Sequence, residues 1–197
     1  MSRSLGLLLA FFRALPSVLW KKEAQFKGVQ CAENVLFLGR PLLSLVPGSR
    51  IVLGRRVRIH SALRSNPLGC AQPSVLRTQS AKARIELGDG AGISAAVLCA
   101  ADFIEIGEGT ILGSGAMVVD NDFHSRGEGW SWKEDYLSSA KGIKIGRGVF
   151  IGARVLVLKG VTIGDRAVVG AGSVVTQDVP AGSLAAGNPA SIRNRKI

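Results

Sequence analysis

The stretch VVDNDFHSRG, Val118–Gly127, holds the residues of this chain best suited to proton chemistry. His124 is one of two histidines in 197 residues, the other being His60. A neutral imidazole ordinarily titrates near ~6.5 and accepts a proton close to neutral pH. Asp120 and Asp122 precede it in the same stretch. A carboxylate there has three uses. It accepts the imidazole N–H and fixes the tautomer, it accepts hydroxyls from a ligand, or its Asx turn shapes the loop. Spacing leaves all three open.

Trp130, Trp132 and Tyr136 follow in the same segment. Their flat faces suit stacking on a ligand ring, and equally suit pinning the segment to the domain wall or a neighbouring subunit. Two histidines and three widely spaced cysteines (Cys31, Cys70 and Cys99) supply neither a metal-ligand spacing nor a disulfide framework. A metal enzyme built on three imidazoles does not fit, and no metal is expected. Cys99, directly after GISAAVL, reads as core rather than nucleophile.

The elements that position these groups announce themselves by repetition. From Ile145 the aliphatics recur every six residues: Ile145, Ile151, Val157, Ile163, Val169 and Val175. A second series runs two residues ahead: Ile143, Val149, Val155, Val161, Ala167 and Ser173. Glycine follows at 146, 152, 164 and 170, and fainter copies of the phrase occur at Ile106, Leu112, Val118, Leu87-Gly88 and Leu53-Gly54. A period of six is neither the 3.6 of a helix nor a long alternating strand. It suits a short strand and a turn, repeated, with the aliphatic inward. Three such strands close a triangular coil, and coils stack at ~4.8 Å in parallel ladders. Two segments break the pattern, 62–83 and 119–141, and the second carries His124. A long break in a compact repeat is usually functional or disordered, and its aromatics argue against disorder.

One domain suits the length. Lys and Arg outnumber Asp and Glu by 25 to 14, a net charge of +11, with clusters at Lys21–Lys22, Arg55–Arg58 and Arg193–Lys196. That balance fits nucleic acid, an anionic membrane surface or an anionic small molecule. No recognition helix, zinc finger or RNA-binding signature accompanies it, so nucleic acid is not expected. The opening residues read as an amphipathic segment over 1–34, the run Leu5–Phe12 being too short to span a bilayer. Arg3, Arg13, Lys21 and Lys22 fit lipid headgroups, although packing on the domain or a neighbouring subunit is the plainer use.

The run 143–180 and the close VVTQDVPAGSLAAGNPASIRNRK resemble the hexapeptide-repeat acyltransferases, over roughly residues 50–192. Within that family, DNDFH and GISAAV look most like the branch that acetylates sugars, which includes maltose, galactoside and surface-polysaccharide acetyltransferases. The resemblance implies an all-β fold, a left-handed parallel β-helix over 35–180 with a short N-terminal helical segment and a tail over 181–197. It implies an acetyl-CoA-dependent O-acetyltransferase acting directly on the thioester. His124 is the expected base, with Asp120 or Asp122 as its partner or as a sugar ligand. The edge at Gly152 and Ala153 is expected to meet the oxyanion and the thiol arm of acetyl-CoA. Ala171 and Thr176 would lie further along that arm, and Arg193 and Lys159 near its nucleotide. Ser94, Asp120, Trp130 and Trp132 are expected on the acceptor side. A homotrimer with sites between subunits, in the cytoplasm and at the inner membrane face, completes the expectation. Acetylation of an antibiotic or an amino sugar is the alternative reaction, and a structural scaffold the non-enzymatic one. A serine acetyltransferase fits less well, because about fifty residues before the repeats leave little room for its helical domain.

Overall fold

Each six-residue unit buries an aliphatic and the residue two before it, and uses the remainder to turn. The six residues from Ile145 to Val175, and the second series from Ile143 to Ser173, are all at most 2% exposed. In the computed structural model, which describes residues 17–193, these units build a left-handed parallel β-helix of three sheets. The first sheet stacks Gln30–Cys31, Arg50–Leu53, Arg84–Leu87, Phe103–Ile106, Ile143–Ile145 and Thr162–Ile163. The second stacks Leu36–Leu38, Arg58–His60, Gly92–Ser94, Ile111–Leu112, Phe150–Ile151, Val168–Val169, Leu184–Gly187 and Ala190–Arg193. The third stacks Leu42–Ser44, Val75–Thr78, Val97–Ala100, Met117–Val119, Leu156–Val157 and Val174–Val175.

The core is a set of inward columns in register. Leu53, Leu87, Ile106, Ile145 and Ile163 form the first, with Ile51, Ile85, Ile104 and Ile143 beside it. Phe37, Ile59, Ile93, Leu112, Ile151 and Val169 form the second. Leu43, Leu76, Leu98, Val118, Val157 and Val175 form the third. Burying each such side chain contributes ~1.5–3 kcal/mol. Glycine serves the turns in two ways. A Cβ on Gly152 would lie 2.5 Å from the Ala171 nitrogen, so close stacking excludes one. Gly172 has open space but φ +71°, so there the backbone conformation favours glycine.

The edge between the first and second sheets is tied by ion pairs. Asp89 pairs with Arg55 at 2.6 Å and Asp165 with Arg147 at 2.9 Å. Each carboxylate also accepts its arginine's backbone N–H. Hydrogen bonds from the Arg55 side chain and backbone hold Asp89 below the usual carboxylate range; those from the Arg147 backbone and side chain do the same for Asp165.

Both ends of the stack are finished. Residues 17–26 are helical and lie across the first coil. Ser17 Oγ accepts the Phe37 N–H at 2.9 Å, and Lys21 Nζ donates to the Ala32 carbonyl at 3.1 Å. At the other end Ala190–Arg193 pairs antiparallel with Leu184–Gly187. The expected amphipathic residues Arg3, Leu5–Phe12 and Arg13, and the tail residues 194–197, lie outside the described residues.

The first break is shorter than 62–83. Val75–Thr78 is a strand of the third sheet, with Leu76 and Thr78 buried and Arg77 outward. No glycine follows it and its inward threonine is polar, so the six-residue phrase is hidden. The excursion proper is 62–74, with one 3₁₀ turn at Leu63–Ser65.

Candidate active site

The second break leaves the coil after Met117–Val119, at the edge between the third and first sheets, and returns at Ile143–Ile145. Asp120 is its root. It is 0% exposed, and its carboxylate accepts the N–H groups of Ala101 and Asp102, each at 2.8 Å, and Nδ2 of Asn121 at 2.9 Å. Burial pushes its carboxyl above the usual range, while those donors pull the other way. The structure therefore does not bring Asp120 to the imidazole or to a ligand: both oxygens are committed to backbone on the preceding coil.

Asn121 continues the anchor. Its Nδ2 also donates to Gln79 Oε1 at 2.8 Å, and its Oδ1 accepts the Phe123 N–H at 2.9 Å. The Cys99 thiol donates to the same Gln79 oxygen at 3.2 Å, and burial pushes that thiol up to about 11. Cys99 is thus protonated core, as its sequence context suggests. Phe123 takes φ +63°, a left-handed conformation that costs a non-glycine residue ~1–3 kcal/mol. The Asn121 hydrogen bond and an edge-on contact with Tyr136, ring centres 6.4 Å apart, hold it there. Tyr136 therefore braces the segment, and its hydroxyl donates to Glu134 at 3.1 Å.

From this pivot the chain forms an antiparallel hairpin of His124–Arg126 and Trp132–Glu134, with His124 opposite Glu134 and Arg126 opposite Trp132. Alternation puts these four side chains on one face and Ser125 and Lys133 on the other. His124 is exposed, and its ring forms no hydrogen bond with any described residue. Asp122, His124 and Trp132 line an open cleft of about 590 Å³. Trp130 stands fully exposed at the hairpin tip, beside a smaller cleft of about 270 Å³. The Asp122 carboxylate is ion-paired with Lys159, so this lysine, expected near a nucleotide, is held at the foot of the hairpin. Thr176 lies on the same edge, one coil further on.

The remaining candidates collect on a different edge, between the second and third sheets. Ser94, Ser114, Ala153 and Ala171 form one column there. Gly115 N–H donates to the Ser94 carbonyl at 3.1 Å, Arg154 N–H to Ser114 at 3.0 Å, and Gly172 N–H to Ala153 at 2.8 Å. The Gly152 N–H is spent on the Val169 carbonyl, whereas the Ala153 N–H has no partner among the described residues. Arg193 donates to the Ala186 carbonyl at the end of this edge. The 62–74 excursion leans over the column through Ser114 Oγ to the Gly69 carbonyl, 2.6 Å, and Asn66 Nδ2 to Ser94 Oγ, 3.0 Å. A cleft of about 400 Å³ between them is lined by Gln72, Ala95, Ala153 and Arg154 among others. His60, the second histidine, is used locally: its Nδ1 lies 2.5 Å from the Ser65 carbonyl.

The third sheet thus separates two sets within one chain: His124, Asp122, Lys159 and Thr176 on one edge, and Ser94, Gly152, Ala153, Ala171 and Arg193 on the other. Three contributors escape sequence reading: Asn121, Gln79 and Glu134. Glu134 alone had a signal, since HSRGEGWSWKE turns at Gly127–Gly129 and returns Glu134 opposite His124. Among the described residues no three His, Cys, Asp or Glu side chains gather to hold a metal.

Residues 142–177 match the family described as bacterial transferase hexapeptide (six repeats). No curated protein matches the chain significantly. Among solved structures, a mutant perosamine N-acetyltransferase from Caulobacter crescentus, in complex with CoA and GDP-perosamine, is 24% identical with a TM-score of 0.53. That match covers 82% of this chain and 58% of the other, so this chain spans well under two thirds of that protein's length. A mutant of AntD, an N-acyltransferase from Bacillus cereus, in complex with dTDP-4-amino-4,6-dideoxyglucose and CoA, is 18% identical with a TM-score of 0.66, over 90% of this chain and 89% of the other. These likenesses are of fold. The segment that matches that family, 142–177, lies in a left-handed β-helix that carries His124 outward on a hairpin.

Proposed function

We propose that the protein transfers an acetyl group from acetyl-CoA to a sugar, with His124 as general base. The observation that carries this reading is the imidazole itself: it is presented on a braced hairpin, in a cleft with Trp132, and no described residue uses its nitrogens. The edge at Gly152, Ala153 and Ala171 offers small side chains on which a thin pantetheine arm fits. A free N–H at Ala153 suits an oxyanion. In the proposed reaction the acceptor's lone pair attacks the thioester carbon as His124 takes the acceptor's proton. The tetrahedral oxyanion collapses, the C–S bond breaks, and the leaving thiolate takes the proton back. Asp122 and Lys159 fix the foot of the hairpin, and Trp130 and Trp132 offer stacking faces to the sugar.

Because the two sets of residues lie on different edges, the complete site is a shared one. In a homotrimer the hairpin edge of one chain meets the Ala153 edge of the next. Two acceptor atoms have support. The resemblance of DNDFH and GISAAV favours a sugar hydroxyl, as in a surface polysaccharide or its lipid-linked precursor. The fold likeness to perosamine N-acetyltransferase and AntD favours the amine of a nucleotide-linked amino sugar equally well.

The test is thiol release from acetyl-CoA with a panel of nucleotide-linked amino sugars and neutral sugars. One acceptor class is expected to turn over, and His124→Ala is expected to lower kcat by ~10²–10⁴-fold with little change in the KM for acetyl-CoA. Unchanged turnover in that variant removes His124 from the chemistry. Failure of the full chain to bind acetyl-CoA turns the reading toward a scaffold.

A further inference from the structure

The helix over residues 17–26 closes the first coil with one side and leaves the other uncovered by any described residue. Ser17, Trp20, Lys21 and Ala24 face the coil: Ser17 and Ala24 are buried and Trp20 packs against the core. Val18, Leu19 and Phe26, which are 52%, 56% and 94% exposed, share the outer side with Lys22. An apolar helix side turned to water is costly, and its surroundings specify what covers it. Of the 25 Lys and Arg residues in the sequence, ten fall in the first 60 positions, against only two of the 14 acidic residues. The remaining 137 positions are nearly balanced, with fifteen basic and twelve acidic residues. Eight of those ten basic residues and both acidic ones fall within the described residues 17–60, so a basic surplus sits at the helix-capped end.

Some of that charge is neutralised locally. Glu23 pairs with Arg40 and Lys27, which hold its carboxyl down to about 2. Arg50 pairs with Glu86 and Arg55 with Asp89. Lys22, Arg56 and Arg58 have no carboxylate within ion-pair distance among the described residues. Arg56 and Arg58 line, together with Val18 and Leu36, an open cleft of about 380 Å³ at the start of the helix. Apolar side chains with unpaired cations at their margin match a bilayer whose surface is anionic. A protein partner of mixed charge gives no reason for the one-sided surplus.

We infer that this end of the molecule docks on an anionic lipid surface, with Val18, Leu19 and Phe26 entering the headgroup layer and Lys22, Arg56 and Arg58 contacting lipid phosphates. The β-helix axis then rises from the membrane, and the His124 hairpin lies several coils above it. The inference is independent of the acetyl-transfer reading.

The full chain is mixed with phosphatidylcholine vesicles, with or without phosphatidylglycerol, and bound protein is measured by flotation. Binding is expected only with phosphatidylglycerol present, and about tenfold less of it when salt is raised from low to physiological strength or above. Leu19→Ser with Phe26→Ser, and separately Arg56→Gln with Arg58→Gln, are each expected to weaken it by about tenfold while leaving the melting temperature in place. Equal binding to both vesicle types, no binding, or binding that neither double variant reduces overturns the inference. If the Leu19 and Phe26 variant changes the sedimentation coefficient of the free protein, the face is an interface between copies, and the inference also fails.

Discussion

Asp120 places a carboxylate where the chain has no water to offer it, and the reason is local. Ala101 and Asp102 turn out of the preceding coil with two amide protons that no strand can accept, and the Asp120 oxygens take both. Replacing Asp120 by Ala strands two buried donors at ~1–3 kcal/mol each, so Asp120→Ala is expected to lower Tm by roughly 5–15 °C. Calorimetry on the full chain checks this. An unshifted Tm together with a displaced pH profile of kcat/KM would return Asp120 to the imidazole. In the sequence, Asp120 and Asp122 looked interchangeable, two acids just before a histidine. Their separation depends on contacts made eighteen or more residues away: Asp120 to Ala101 and Asp102, Asp122 to Lys159. Composition and spacing carry no record of that. His124 was legible because a histidine in a break of a regular repeat has few structural uses. Asn121 was not, because a loop asparagine is ordinary until its two ends are seen to hold Gln79 and Phe123 apart.

At the level of elements, the hairpin depends on its return turn. Asp135 accepts the N–H groups of Leu137 at 3.2 Å and Ser138 at 2.9 Å, and the Ser138 hydroxyl donates to it as well. The Ser138 hydroxyl and amide hold its carboxyl down to about 2, from an ordinary value of 3.8. A depressed carboxylate favours the folded turn above its ordinary value, and that contribution is lost as pH falls from 3.8 through about 2. Amide exchange at Leu137 and Ser138, corrected for its intrinsic pH dependence, is therefore expected to accelerate across that window, ahead of exchange in the coils. Protection that stays flat down to pH 2 would assign the turn's stability elsewhere. The C-terminal coils were readable to the residue, since Ile145 through Val175 obey a strict period and all point inward. Val75–Thr78 was lost in an expected loop because the period is a packing rule, and a polar inward Thr78 satisfies it invisibly. The residue opposite His124 was lost for a related cause: the hairpin is two strands of three residues, too short for alternation to stand out.

For the whole molecule, the outer faces differ in kind. The third sheet presents Leu42, Val75, Val97, Met117, Leu156 and Val174 as one outward row, with Leu42 and Met117 about 40% exposed. The equivalent row of the first sheet is Val52, Glu86, Glu105, Lys144 and Thr162, with charge at its centre. In the proposed trimer the apolar row is covered by neighbours. Met117→Asp combined with Leu156→Asp is then expected to yield monomers by sedimentation and to abolish acetyl transfer, although His124 is untouched. A monomer that retained turnover would show that one chain completes the site alone. The sequence announced none of this charge asymmetry between faces, because residues eighteen or more apart become neighbours only after coiling. A parallel ladder of this kind has no intrinsic length. In amyloid the same 4.8 Å repeat continues from chain to chain without limit. Here Ser17 claims the open Phe37 amide at one terminus of the ladder, and Ala190–Arg193 runs backwards along the other. Both contacts fall on the second sheet, so in that ladder a sequence with the ingredients of a fibre is stopped by a helix at one terminus and a reversed strand at the other.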